Sequence, residues 1–300
     1  MKTTFTLFIV LLQISLFTGC TEYETFDSLN VVDKNCGAKI SGGSDLAYDK
    51  DKGILYIVGD RGNLYTCSAK VNEDTITLTY ISTKKIIGHN LSSIDSEGLD
   101  IDDEGNLFLS TEGNIASVYS INSFGNITGD YGLPSILDQA TYVNSNSKFE
   151  AITYNKNQGA ILLAAELPIN GEKDVSKQAV YNLDGDKTWH FKAESYPNNS
   201  VTAIETMDED NGNLLVLERA VEGTGANTRF YITIKKVAIN ECSSTVDTPC
   251  DSEILESFKG GVNHNYEGLT KIDNGRYLMV NDNQGQSLIK TNFIFFDTKK

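Results

Sequence analysis

One short pattern returns five times along the 300 residues: an acidic residue, a small one and an aliphatic one, an Asp/Asn-rich turn closed by Gly, then an apolar run ending in Asp or Glu. The copies run from Ser44-Asp45-Leu46 to Asp60, Glu97-Gly98-Leu99 to Glu112, Glu150-Ala151-Ile152 to Glu166, Glu205-Thr206-Met207 to Glu218, and Glu267-Gly268-Leu269 to Asp282. Their first residues stand 53, 53, 55 and 62 positions apart. A repeat near fifty residues built of β-hairpins predicts an all-β propeller of four-stranded blades, because each hairpin sheet buries its faces only against its neighbours. The count predicts five blades, or six if a degenerate repeat lies after Glu218.

The return strands, such as Ile54-Leu55-Tyr56-Ile57-Val58 and Ala160-Ile161-Leu162-Leu163-Ala164, are apolar at consecutive positions. A strand with two apolar faces is covered on both sides, as when blades pack on blades. Gly53, Gly105, Gly159, Gly212 and Gly275 fall where tight hairpins take a positive φ. After the last motif there is room for about one more strand. The segment around Tyr23 to Val32 is therefore expected to complete the final blade and close the ring, leaving no free sheet edge there.

In every copy the first and last positions lie at the same end of a hairpin. Glu97, Glu150, Glu205 and Glu267 are expected around the central channel, with Ser44 interrupting the ring. Asp60, Glu112, Glu166, Glu218 and Asp282 form a second tier. So many carboxylates cannot all ionise without compensation. The built-in counter-charges are Arg61 and Arg219, each directly after a second-tier acid, and Asn283 follows Asp282. All-oxygen ligands suit Ca²⁺, so Glu97, Glu150, Glu205 and Glu267 are the candidate metal ligands. Asp60, Arg61, Glu112, Glu166, Glu218, Arg219, Asp282 and Asn283 are the candidate substrate contacts. The competing reading is structural: the acids accept backbone N–H groups of the next blade and hold register.

Lys2 and the apolar run Phe5 to Phe17 read as an export signal over 1–19. Leu16-Phe17-Thr18-Gly19-Cys20 resembles a bacterial lipobox, which implies a lipidated Cys20 and anchorage in the cell envelope, on the outer membrane. Residues 20–40 would then be the anchored N-terminus and closing strand, and 41–300 a single domain. Loss of Lys2 takes the net charge from −16 to −17, which disfavours nucleic acid and leaves the lipid as the membrane contact. Four cysteines remain and allow three pairings. The spacing favours Cys242 with Cys250 and Cys36 with Cys67. No Gly-x-Ser-x-Gly, His-Glu-x-x-His or Walker A pattern occurs. Trp189 and the tyrosines read as blade packing.

Asp95-Ser96-Glu97-Gly98-Leu99, Phe149-Glu150-Ala151-Ile152, Leu217-Glu218-Arg219-Ala220, Tyr266-Glu267-Gly268-Leu269-Thr270 and Val280-Asn281-Asp282-Asn283, in this order and at these intervals, resemble the family named for the esterase-like activity of phytase. The resemblance spans about Gly42 to Phe296 and implies an exported β-propeller that hydrolyses phosphate or carboxylic esters. The SdiA-regulated periplasmic propellers share the Glu-Gly-Leu repeats and imply bound Ca²⁺. Gluconolactonase-like propellers are a more distant likeness. Two functions follow as expectations: a Ca²⁺-dependent hydrolase of a small ester or phosphoester, or a non-catalytic Ca²⁺-stabilised surface propeller that binds a protein ligand.

Overall fold

The computed structural model describes residues 28–88, 94–113, 116–144, 148–185, 187–240, 242–286 and 288–299. The export signal over 1–19, the lipidation candidate Cys20 and the start of the closing segment lie outside them. The first strand, β1 (Asn30–Lys34), precedes blade 1, made of β2 (Gly43–Asp49), β3 (Ile54–Gly59), β4 (Asn63–Val71) and β5 (Thr75–Lys85). Blade 2 holds β6 (Ser96–Ile101), β7 (Leu107–Thr111), β8 (Ser117–Ile121) and β9 (Ile127–Gly132), and blade 3 holds β10 (Phe149–Asn155), β11 (Ala160–Ala165), β12 (Lys177–Asn182) and β13 (Thr188–Lys192). Blade 4 holds β14 (Ser200–Met207), β15 (Asn213–Glu222), β16 (Arg229–Val237) and β17 (Ser252–Gly260). Blade 5 holds β18 (Tyr266–Asp273), β19 (Arg276–Asn281) and β20 (Phe293–Asp297). The five sheets form a five-bladed β-propeller, each an antiparallel meander in chain order.

Each blade's first strand packs on the first strands of both neighbours, β18 on β2 included, so these five strands line the channel. The apolar return strands divide their side chains between two interfaces. On β11, Ile161 and Leu163 join the core shared with blade 2, while Leu162 and Ala164 join the core shared with blade 4. On β15, Leu214 and Val216 face blade 3, and Leu215 and Leu217 face blade 5. Five such cores, one per interface, account for the two-faced apolar runs. Gly105 and Gly275 close their hairpins with φ of 83° each, a conformation that side-chain-bearing residues avoid.

Ring closure uses the N-terminal segment in two places. Leu29 bridges Phe295 on the last blade, and β1 then runs parallel to β5 on the first. Among the described residues the segment thus contributes a bridge to blade 5 and covers the outer edge of blade 1. Two disulfides form, Cys36–Cys67 and Cys242–Cys250, the pairing that the spacing favours. The first ties the N-terminal segment to β4. The second staples a loop whose Ser244 Oγ accepts from His190 N (2.7 Å) and whose Cys250 N donates to His190 O (2.7 Å), covering the edge of β13.

Candidate functional site

Every channel strand carries a β-bulge at the same point, between Gly43 and Asp45, Ser96 and Leu99, Phe149 and Ala151, Val201 and Ala203, and Tyr266 and Gly268. A bulge re-aims the extra residue. The residues at this point are Ser44, Glu97, Glu150, Thr202 and Glu267. Opposite them, one position past the partner of the preceding residue, stand Asp60, Glu112, Glu166, Arg219 and Asp282. Blade 4 therefore differs from expectation in both tiers. Thr202, not Glu205, holds the bulge position, and Arg219, not Glu218, holds the second-tier position.

The register explains the correction. Val201-Thr202-Ala203-Ile204 matches Phe149-Glu150-Ala151-Ile152, with the small-aliphatic pair in place and Thr for Glu. The span from 205 to 218 is 13 residues, against 15 or 16 in the other copies, and that shortfall was the sequence signal of the slip. Glu205 lies three positions further down the channel. Its Oε1 accepts from Thr206 N (2.8 Å) and its Oε2 from Lys271 N (2.9 Å) on blade 5. Glu218 points between blades 3 and 4, fully buried. It accepts from Glu194 N (2.7 Å) and Asn199 Nδ2 (2.9 Å) and pairs with Lys235 Nζ at 3.1 Å.

Glu205 belongs to a relay that the sequence reading offered only as its structural alternative. The innermost strand of a blade has an unpaired edge, whose N–H groups need acceptors. Asp45 accepts from Leu99 N (2.9 Å) on blade 2 and Leu269 N (3.0 Å) on blade 5, Asp100 accepts from Tyr154 N on blade 3, and Thr153 Oγ1 accepts from Thr206 N (3.0 Å) on blade 4. Glu205 completes the circuit to Lys271. These carboxylates hold blades in register. Gly98 and Gly268 permit the close approach: a Cβ on Gly268 would stand 2.7 Å from Asp45 Cα, and one on Gly98 2.7 Å from Ile152 Cγ2.

The bulge-side mouth has a different chemistry. Arg219 donates to Glu267, to Glu166 Oε1 (3.0 Å), to Asn265 Oδ1 (3.0 Å) and to Ser200 Oγ (3.4 Å). Ser44 Oγ donates to Asp60 Oδ1 (3.0 Å), and Glu112 accepts from Lys148 N. Glu97 and Glu150 are half-buried, and their carboxyl groups make no hydrogen bond or ion pair among the described residues. Burial lifts both well above the ordinary carboxylate range. Glu150, Glu112, Asp95 and Glu267 add repulsion at Glu97, and Glu166, Glu267 and Glu112 do so at Glu150, where Arg219 opposes them. Burial likewise pushes Glu267 up to about 8 against the pull of Arg219, Glu112 up to about 7 and Asp282 up to about 6.

Two other candidates serve the scaffold. Asn283 Oδ1 accepts from Gly42 N (2.8 Å) and its Nδ2 donates to Ile40 O (3.1 Å) and Thr291 Oγ1 (3.0 Å), tying the last blade to the N-terminal segment. Arg61 is exposed, and its guanidinium makes no hydrogen bond or ion pair among the described residues. Among the described residues no three His, Cys, Asp or Glu side chains come together closely enough to hold a metal ion.

A family model described as phytase-like, esterase-like activity of phytase, matches residues 38–285. A search of curated proteins finds no match. Among solved structures, the chain is similar to a luciferin-regenerating enzyme (11% identity, 86% of this chain and 91% of that one, TM-score 0.46). It is also similar to a calcium-binding protein, regucalcin, from Agrobacterium tumefaciens (10%, 89% and 95%, 0.44) and to a protein of unknown function from Bacteroides caccae (12%, 86% and 78%, 0.44). At these identities none assigns a ligand or a reaction to this chain.

Proposed function

Because the chain belongs to the phytase-like family, whose name records an esterase-like activity, we propose that the bulge-side mouth hydrolyses small carboxylic or phosphoric esters with the help of a Ca²⁺ ion. The observation that carries this reading is the unpartnered state of Glu97 and Glu150. Two neighbouring carboxyls that repel each other and lack a donor gain more from a cation than from any group already around them. The donor set is all oxygen, which fits a hard cation. Glu97 and Glu150 are the residues that would hold it; Glu267 is committed to Arg219, and Glu205 to the blade relay. A bound Ca²⁺ supplies polarisation of an ester oxygen and acidification of water.

The protein's own groups supply the rest. Arg219 is the guanidinium in the second tier, aimed at the channel beside Glu267 and Glu166, and it steadies one negatively charged substituent. Glu112, titrating near 7, is matched to carrying a proton to a leaving oxygen at neutral pH. One guanidinium among so many carboxylates disfavours phytate and favours substrates of low charge. Export by the N-terminal segment and anchorage at Cys20 would place this site in the cell envelope.

The second reading is a non-catalytic Ca²⁺-stabilised propeller that binds a protein, in keeping with a sequence that holds no Gly-x-Ser-x-Gly or His-Glu-x-x-His motif. Dialysis against chelator, followed by assay on 4-nitrophenyl acetate and 4-nitrophenyl phosphate with and without Ca²⁺, separates the two. Turnover that needs Ca²⁺ and disappears in E97Q and E150Q is expected. A rise in melting temperature with Ca²⁺ but no turnover supports the second reading, and metal-independent turnover sinks both.

A further inference from the structure

At the opposite, turn-side mouth the channel opens into a cavity of about 490 Å³, and a second of about 530 Å³ follows the rim of blade 2. Lys52, Asp102 and Gly105 line both, so the two form one bent groove. Each alone falls within the roughly 300–1,000 Å³ of small-molecule sites. Together they suit a chain of units rather than a single compact one.

Aromatic rings border this groove. Tyr154 stacks on Phe108 (centroids 6.4 Å apart, 16° between planes), and Phe108 meets Tyr131 at 5.9 Å. Tyr154 lines the first cavity, and Phe108 and Tyr131 line the second. Tyr131 is 54% exposed, so much of its ring is open to a ligand.

The charged lining is mostly spoken for. Asp49 pairs with Lys52 (2.7 Å), Asp103 with Lys156 (2.6 Å) and Asp208 with Lys271. Asp100 and Glu205 hold backbone N–H groups, and Asp102 accepts from Glu104 N (3.0 Å) and Asn106 Nδ2 (2.8 Å). An anionic ligand would meet an acidic wall, and a cation that displaced no lysine would find only the exposed Asp51 and Glu104, which carry no ion pair among the described residues and whose pairs water and salt weaken. A carboxylate that already accepts one hydrogen bond still has lone pairs for a hydroxyl, and an ammonium has donors to spare. Flat rings flanked by such groups match the apolar faces and hydroxyl edges of sugars.

We infer that the groove running from the turn-side mouth along the rim of blade 2 binds a neutral oligosaccharide, with Tyr154 and Tyr131 as stacking platforms. Calorimetric titration of the full protein with maltohexaose, cellohexaose, xylohexaose and mannohexaose tests it, with spermidine and hexagalacturonate as charged controls. At least one neutral hexasaccharide is expected to bind. Y131A and Y154A should each weaken that binding about tenfold, while E97Q at the far mouth leaves it unchanged. Tyr131 is exposed, so Y131A keeps the fold, and an unaltered melting temperature checks this. Failure of all four neutral sugars, preference for spermidine or hexagalacturonate, or wild-type affinity in Y131A overturns the inference. None of these outcomes depends on ester hydrolysis.

Discussion

Replacing Arg219 with Met removes the guanidinium from the bulge-side mouth while keeping most of its volume. Arg219 is 16% exposed, and its partners Glu166 and Glu267 are each 14% exposed, so solvent screens these pairs only partly. At an effective dielectric near 20, two unit charges 4 Å apart attract by about 4 kcal/mol. Arg219 holds two such partners, and the burial of the guanidinium itself offsets part of that gain. Removing one member of a buried pair costs roughly 3–5 kcal/mol because the other charge is left uncompensated. About 3 kcal/mol is therefore expected for R219M at pH 8, a fall of roughly 6–12 °C in melting temperature for a domain of this size. The loss depends on pH. Glu267 has its carboxyl raised from 4.5 to about 8, so between those values the folded protein holds a proton that the unfolded chain releases. Its contribution to stability is complete below about 4.5 and is lost as pH rises through 8. Without Arg219 that carboxyl rises further, and the deficit widens with pH. Thermal unfolding by circular dichroism at pH 5 and pH 8 is the assay, and the loss at pH 5 should fall to roughly half, about 1.5 kcal/mol, because protonation of Glu267 removes one of the two ion pairs of Arg219. An equal loss at both pH values, or none at pH 8, refutes the assignment of Arg219 as the charge that balances this mouth.

D45A should destabilise by about 2–4 kcal/mol, since it leaves Leu99 N and Leu269 N without their acceptor; chemical denaturation reads it, and a loss under 1 kcal/mol contradicts the relay. Opening Cys36–Cys67 should cost about 1 kcal/mol more than opening Cys242–Cys250, because chain entropy scales with loop lengths that differ as 31 to 8 residues; paired Cys→Ser variants compared by melting temperature check the order.

Periodicity and apolar patterning were enough to read the blades, because a return strand buried on both faces leaves no other packing. Ile161-Leu162-Leu163-Ala164 shows it: alternate residues go to different cores. The pairing of the cysteines was legible from spacing, since Cys242 and Cys250 close a short excursion and Cys36 and Cys67 are left to tie the N-terminal segment to the first blade. Which carboxylates face the mouth was less legible. Glu97 and Glu205 both open with Glu before a small residue, yet a bulge aims the first at the mouth, and the regular strand below it places the second on the neighbouring backbone. A bulge is a matter of strand pairing, and single residues carry little trace of it.

The least legible blade is also the one that sets the electrostatics of the mouth. A strict copy at blade 4 would place Glu at 202 and an acid at 219, adding two more carboxylates to groups already lifted by burial and mutual repulsion. Blade 4 instead contributes a hydroxyl, which Thr202 gives to Tyr266 O (3.3 Å), and a guanidinium. That exchange divides the mouth. Glu166 and Glu267 are paired with Arg219, while Glu97 on blade 2 and Glu150 on blade 3 accept no hydrogen bond among the described residues, although the charge of Arg219 reaches Glu150. A ring of like charges would be stabilised by protons from any side, whereas a ring broken by Ser44 on blade 1 and Thr202 on blade 4 leaves Glu97 and Glu150 side by side on the two blades between. The departures from the repeat therefore shape the candidate site, and averaging over the repeat is what hides them.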